Sequence, residues 1–215
     1  MLQRIHCENR AEWLQSRSAQ GIGASEVAAI VGLSPWQTAT ELWEIKTGRR
    51  QSKDISDNEA VKRGVNMEQA IRDFFMALHG DEYTLEYFPY DILYQSERPC
   101  YFCTLDGELR DRKGRKGILE IKSGSPTTRE AWSQWDGKVP NHYYCQILAQ
   151  LLATGYDFAV LQAALWNRNG DITLKDAYYI ERSDCEADLI WMAGEEDKFW
   201  RCVQTNTSPG AIIRF

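Results

Sequence analysis

The chain has 215 residues, 43% hydrophobic and 26% charged, with a formal net charge of −6. That balance fits one folded domain with a sizeable core and excludes a disordered or fibrous class; the negative total argues against indiscriminate coating of nucleic acid while leaving room for a local basic surface. No stretch approaches a membrane span, and residues 1–7 lack the apolar core and small-residue cleavage site of a signal peptide, so a cytoplasmic location and no membrane partner are expected.

In chain order, residues 8–17 and 25–31 read as two short helices separated by Gly21-Ile22-Gly23, whose glycines permit a tight path into the second. Residues 40–47 form a helix that Gly48 ends, and the polar residues 49–57 form a mobile loop. Residues 61–78 are predicted as a long helix with Val65, Ile71, Phe74, Phe75 and Leu78 on its apolar face, closed by His79-Gly80. Strands follow at residues 83–87, 101–105, 108–110 and 117–122, rich in aromatic and β-branched residues. A helix at 142–153, strands at 158–166 and 177–181, and an amphipathic helix at 185–203 complete an α/β domain with a central mixed sheet flanked by helices. Of six cysteines, at 7, 100, 103, 145, 185 and 202, only Cys100 and Cys103 have CxxC spacing. Reduced, mostly buried thiols are therefore expected in place of a zinc site.

The triplet Glu120-Ile121-Lys122 carries the chemistry. Side chains on a strand alternate, so Glu120 and Lys122 share one face while Leu119 and Ile121 take the other. A carboxylate and an ammonium in an otherwise apolar run need a partner or a metal. Asp106-Gly107, just upstream, is a strong signal for a two-residue hairpin turn, but together with Glu120 it reads as a pair of oxygen ligands for a hard cation such as Mg2+. Glu68 falls within the arc of Val61, Val65, Ile71 and Phe75. It can pair with Lys62 or Arg72, but a third metal carboxylate is the favoured reading.

Four further groups each carry an ordinary reading beside a functional one. Gln146 and Gln150 share a helix face beside Tyr143, as a solvated edge or as amides for phosphate or the attacking water. Ser25 reads as a helix cap and, with Arg17, as part of an anion site, two roles that are compatible with each other. Arg110, Arg112, Lys113, Arg115 and Lys116 surround Gly114, as a solvated turn or as contacts for backbone phosphates. Trp36, after Pro35, is either an anchor or a surface on which an unpaired base can stack.

The arrangement of Asp106, Glu120 and Lys122 resembles the PD-(D/E)xK nuclease superfamily. The run Gly21-Ile22-Gly23-Ala24-Ser25-Glu26-Val27-Ala28-Ala29-Ile30-Val31-Gly32-Leu33-Ser34-Pro35-Trp36, followed by Glu41-Leu42-Trp43 and Lys46-Thr47-Gly48, resembles more narrowly the opening of the YqaJ-type viral recombinase family, relatives of lambda exonuclease. The similarity continues through Arg63-Gly64 with Glu68, Leu105-Asp106-Gly107, residues 118–122, Val139-Pro140, Tyr144 with Gln146, and Leu152-Ala153-Thr154-Gly155.

The resemblance implies a restriction-endonuclease-like core and a Mg2+-dependent exonuclease using two ions, or Mn2+ in their place. It would degrade the 5'-ended strand of linear duplex DNA, leaving a 3' overhang for a single-strand annealing recombinase, as a phage-encoded homotrimeric ring. It further implies that Glu68, Asp106, Glu120 and the Ile121 backbone carbonyl hold metal, that Lys122 positions the water with Gln146 beside it, and that Arg17 and Ser25 grip the terminal 5'-phosphate. Two departures are the wider Arg17–Ser25 spacing and the longer, more basic stretch between Asp106 and Glu120 than in lambda exonuclease. The rivals are a structure-specific or restriction-like endonuclease on the same site and a non-catalytic DNA-end-binding adaptor.

Overall fold

The computed structural model describes residues 1–210, excluding the side chains of Ala19 and Gln20. Its centre is a sheet in which β6 (Gly107–Asp111), β7 (Lys116–Gly124) and β8 (Phe158–Trp166) lie side by side, with β3 (Tyr83–Glu86) outside β6 and β10 (Tyr178–Glu181) outside β8. A short β9 (Ile172–Leu174) also pairs with β8. β7 and β8 run parallel and the other pairs antiparallel, so the sheet is mixed, as expected. A parallel pair needs a long connection, and α6 (Asn141–Thr154), preceded by the short α5 (Arg129–Ser133), supplies it. Every residue of β8 is buried, which explains why that strand is apolar at every position but Gln162, whose amide donates to the Lys175 backbone carbonyl at 2.7 Å.

The two faces of β7 meet different helices. Leu119 and Ile121 join Ile71 and Phe75 of α4 (Glu59–His79) in one core cluster, while Ile118 faces a larger cluster with Ile147, Leu148 and Leu151 of α6. The larger cluster also takes in α2 (Val27–Ile30), α3 (Ala39–Lys46) and α7 (Glu186–Gln204). Phe75 is completely buried, so Phe75→Ala should cost roughly 3–5 kcal/mol. The apolar face expected for this helix is only partly correct: Val65 and Leu78 are 60% and 57% exposed, and Phe74 is exposed as well. Apolar residues lie on several sides of α4, and only Ile71 and Phe75 of the expected set are buried against the sheet.

A second, four-stranded sheet has the order β1 (Leu2–Ile5), β4 (Ile92–Gln95), β5 (Tyr101–Cys103) and β2 (Ile22–Gly23). Of these strands only β5 is evident from sequence pattern. α6 packs against β4 and β5 as well as against β7 and β8, and so lies between the two sheets. α1 (Arg10–Gln20) is capped by Asn9, whose side chain accepts from the amides of Ala11 and Glu12. All six cysteines are free thiols, and four of them are buried. No helix among the described residues is long and apolar enough to cross a membrane.

Candidate active site

The β6–β7 ladder ends at the pair Gly107↔Leu119, so β7 continues for several residues with its β6-side edge unpaired by strand. Asp106, at the bend just before β6, takes that place: its Oδ2 accepts the Ile121 amide at 2.7 Å. The N–H and C=O of one strand residue point to the same side, so the Ile121 carbonyl lies on this edge too. Asp106-Gly107 is therefore no hairpin turn. That turn falls around Gly114, at φ +81°, and the backbone at Gly107 packs closely, since a Cβ there would lie 3.1 Å from Leu85 and 3.2 Å from Leu119.

Glu120 and Lys122 point together toward α6, as strand alternation predicts. Glu120 is 2% exposed, and both of its carboxylate oxygens are engaged. Oε1 accepts from Gln146 Nε2 at 2.7 Å and lies 2.5 Å from Lys122 Nζ, while Oε2 accepts from Gln150 Nε2 at 2.5 Å. Lys122 also donates to Gln146 Oε1 at 3.0 Å, and its ammonium lies 4.7 Å from the Tyr143 ring centroid. The two glutamines are not a solvated edge; both face the carboxylate.

Charge is crowded here. Burial first, and the charge of Glu120 second, push the Asp106 carboxyl well above the usual carboxylate range. Burial also raises Glu68, opposed by Arg72 and reinforced by Glu120. Burial acts to lower the Lys122 ammonium, but Glu120 and Asp106 outweigh it and leave Lys122 raised, hence charged. The ordinary partners considered for Glu68 are engaged elsewhere. Lys62 pairs with Asp57 at 3.2 Å and Glu59 at 3.7 Å, and Arg72 donates to the Asp106 backbone carbonyl at 3.1 Å and to Gln69 at 3.2 Å.

The donor set fits a hard divalent cation. Glu120 contacts the Lys122 ammonium, Asp106 and Glu68 interact with both through their charges, and the Ile121 carbonyl shares the strand edge with Asp106. Among the described residues no three carboxylate, imidazole or thiolate side chains converge into one ligand group, so Glu68 as placed acts on Asp106 and Glu120 through its charge. One or two carboxylates from the protein, with waters and phosphate oxygens making up the remainder, is the kind of ligand set that Mg2+ prefers.

Arg17 and Ser25, from different elements, do meet: Arg17 Nη2 lies 3.4 Å from Ser25 Oγ. The guanidinium is held over the rings of Trp13 and Phe102, at 4.6 and 5.3 Å, and burial lowers its pKa. Ser25 is not a helix cap. It lies within a 3-10 turn, Ala24–Glu26, that starts from Gly23, whose amide Glu26 accepts at 2.8 Å.

Trp36 is 72% exposed, set edge-on to His142 with ring centroids 5.0 Å apart and 6.3 Å from Tyr143, so it stands beside the ring that carries Lys122. Burial, then the charge of Lys122, pull His142 down to about 4, leaving a neutral imidazole at physiological pH. The basic turn lies at the opposite end of β7 from Lys122. Arg115 is tied to Asp111 at 2.8 Å and Glu181 at 2.7 Å, and Arg112 pairs with Asp81 at 3.7 Å. Lys113 and Lys116 are exposed.

Sequence reasoning missed the role of Gln150 and the tie from Arg72 to the Asp106 backbone. The first had a signal in the four-residue spacing from Gln146, and the second had none, since it joins residues far apart in the chain.

The chain belongs to the YqaJ-like viral recombinase domain family, whose model matches residues 12–157. It is 30% identical over 192 residues to protein YqaJ of Bacillus subtilis (strain 168), covering 89% of this chain and 56% of that protein, so the chain spans about half the length of this relative. Among solved structures it is similar to an alkaline exonuclease from Laribacter hongkongensis, with a TM-score of 0.67 and 20% identity over 92% of this chain and 94% of that one. A phage-related exonuclease from Haemophilus somnus 129PT is similar at a TM-score of 0.54 and 12% identity, over 86% and 96%. These likenesses establish the lambda-exonuclease-like α/β fold.

Proposed function

We propose that this chain is a metal-dependent deoxyribonuclease that resects linear duplex DNA from its 5' ends, leaving 3' single strands for an annealing recombinase. The observation that carries the reading is the contact of Lys122 Nζ with Glu120 at 2.5 Å and with Gln146 at 3.0 Å, beside a carboxyl-rich strand edge. Asp106, Glu120 and the Ile121 carbonyl would hold Mg2+ or Mn2+, with Glu68 completing the acidic surround. When bound, two such ions supply Lewis-acid stabilisation of the phosphate oxygens and lower the pKa of water.

Lys122, kept charged by its carboxylate neighbours, orients the attacking water and meets charge developing on the phosphate. Gln146 bridges Lys122 and Glu120 and so fixes both. Arg17 and Ser25 form the end pocket, where a guanidinium and a hydroxyl together suit a terminal phosphate. Trp36 offers a ring for an unpaired base next to Tyr143. Exposed Lys113 and Lys116 engage phosphates of the duplex away from the reacting end. An annealing partner and a trimeric ring are carried by the family resemblance.

The test is digestion of linear duplexes labelled at the 5' or the 3' end, with and without a 5'-phosphate, in Mg2+ and in EDTA. Release from the 5' end that requires Mg2+ and favours the phosphorylated end is expected. Cleavage of closed circular DNA would favour the endonuclease reading, and binding without cleavage the adaptor reading.

A further inference from the structure

We propose that Gln150 is a positioning residue for Glu120, holding the oxygen of that carboxylate which faces away from Lys122; this rests on the metal-dependent reading of the site. Gln150 is completely buried, and its Nε2 lies 2.5 Å from Glu120 Oε2. It cannot touch DNA, so its effect passes through Glu120 alone. Gln146, one helical turn earlier, is half-buried and takes the other oxygen together with Lys122.

A carboxylate offers about four lone-pair sites. The three N–H donors fill three of them and leave one, so the ring of donors fixes the carboxylate and dictates where a cation can approach. The orientation of the Gln150 amide follows from the same contact. With the amide reversed, two oxygens would face each other at hydrogen-bond distance, which a carboxylate forbids.

A second observation points the same way. Gln150 Oε1 is buried with no hydrogen-bond partner, an arrangement that disfavours the folded state. An apolar side chain of similar size at this completely buried position would avoid that penalty. The amide N–H on Glu120 is the one interaction of this side chain that an apolar residue could not make.

The experiment compares the parent with Gln150→Met, which keeps volume and removes the donor. Mn2+ binding is followed by calorimetry without DNA, and cleavage of a linear duplex is followed in Mg2+. Loss of a group that orients a metal ligand commonly costs about 10–100-fold in metal affinity or activity. The expected result is a drop of that size in Mn2+ affinity and in kcat, with KM for DNA within about twofold of the parent. Parental Mn2+ affinity and kcat in a folded variant would overturn the proposal. Should the variant not fold, the side-chain amide resonance of Gln150 in the 15N-labelled parent decides: it shifts on saturation with Mg2+ if the residue holds a ligand carboxylate, and an unmoved resonance overturns the proposal. A parent that binds Mn2+ but cleaves nothing would remove the nuclease reading, and calorimetry on Gln150→Met would still decide the role of Gln150.

Discussion

Glu196 and Glu120 are both buried carboxylates, 1% and 2% exposed, but their surroundings treat them differently. Glu196, on α7, has Arg98 3.2 Å away, and the same guanidinium reaches Asp197 at 2.8 Å, where Tyr101 also donates at 2.8 Å. Burial pushes Glu196 up to about 7, so near neutral pH a proton is available to neutralise it, while Asp197 is largely exposed and paired. Glu120 sits with Asp106 and Glu68 against the Lys122 ammonium, and Arg72 is turned to a backbone carbonyl. The first group balances its own charge and closes α7 onto β5. In the second, burial raises Asp106 and Glu68 as well, but the ion pair there joins Lys122 to Glu120, so carboxyl groups outnumber the cations paired with them. It is this excess of carboxyl groups that distinguishes the proposed cation site from the structural cluster.

The strongest way to break the comparison is to remove the charges of the site. Lys122→Ala or Glu120→Ala should lower the cleavage rate by about 100- to 1,000-fold while duplex binding persists, measured as single-turnover rates beside gel-shift affinities. Near-parental cleavage by either variant would leave the site without its chemistry.

The α7 cluster should respond to pH in stability, not in cleavage. Its folded pKa of about 7 lies above the ordinary 4.5, so between those values the folded chain binds more protons than the unfolded one. The stabilisation is therefore present below about pH 4.5 and is lost as pH rises through about 7, by up to roughly 1.4 kcal/mol for each pH unit. Urea unfolding at pH 5 and pH 8 should show this loss in the parent, flattened in Glu196→Gln. An identical pH slope in the two proteins would mean that Glu196 is ionised throughout.

A smaller effect is expected at the end pocket. One hydrogen bond contributes about 0.5–1.5 kcal/mol, so Ser25→Ala should narrow the preference for a 5'-phosphorylated end by about 2- to 10-fold, read from initial rates on phosphorylated and hydroxyl ends. Unchanged preference would leave the pocket to Arg17. The least effect is expected at the basic turn. Replacing Arg112, Lys113, Arg115 and Lys116 with neutral residues should reduce the slope of log K against log salt by about 0.9 for each DNA phosphate that is no longer neutralised. With Arg112 and Arg115 already paired to acids, Lys113 and Lys116 are expected to carry nearly all of that change.

The candidate site strand is readable from sequence because alternation along β7 needs only neighbouring residues, and the largely apolar β8 and the helix boundaries of α6 and α7 are readable for the same reason. What escapes depends on distance along the chain. β1 pairs with β4 across some ninety positions, and β2 has only two residues, so neither leaves a local pattern. Asp106-Gly107 carries the residues of a turn but sits at the end of a ladder, where the aspartate replaces a missing strand partner. Val65, Phe74 and Leu78 fit helical spacing and still face outward, since α4 buries only a narrow strip. Gln150 looks polar and external in sequence; its burial emerges only once α6 is laid between two sheets.

The central claim is that the acidic surplus around Asp106 and Glu120 is completed by a divalent cation. Titration of the DNA-free protein with Mn2+ in a calorimeter tests it most directly, with Asp106→Ala and Glu196→Gln as the two comparisons. Binding in the parent and in Glu196→Gln, with at least about tenfold weaker binding in a folded Asp106→Ala, is the predicted result. No binding in the parent, or equal binding in Asp106→Ala, would contradict it.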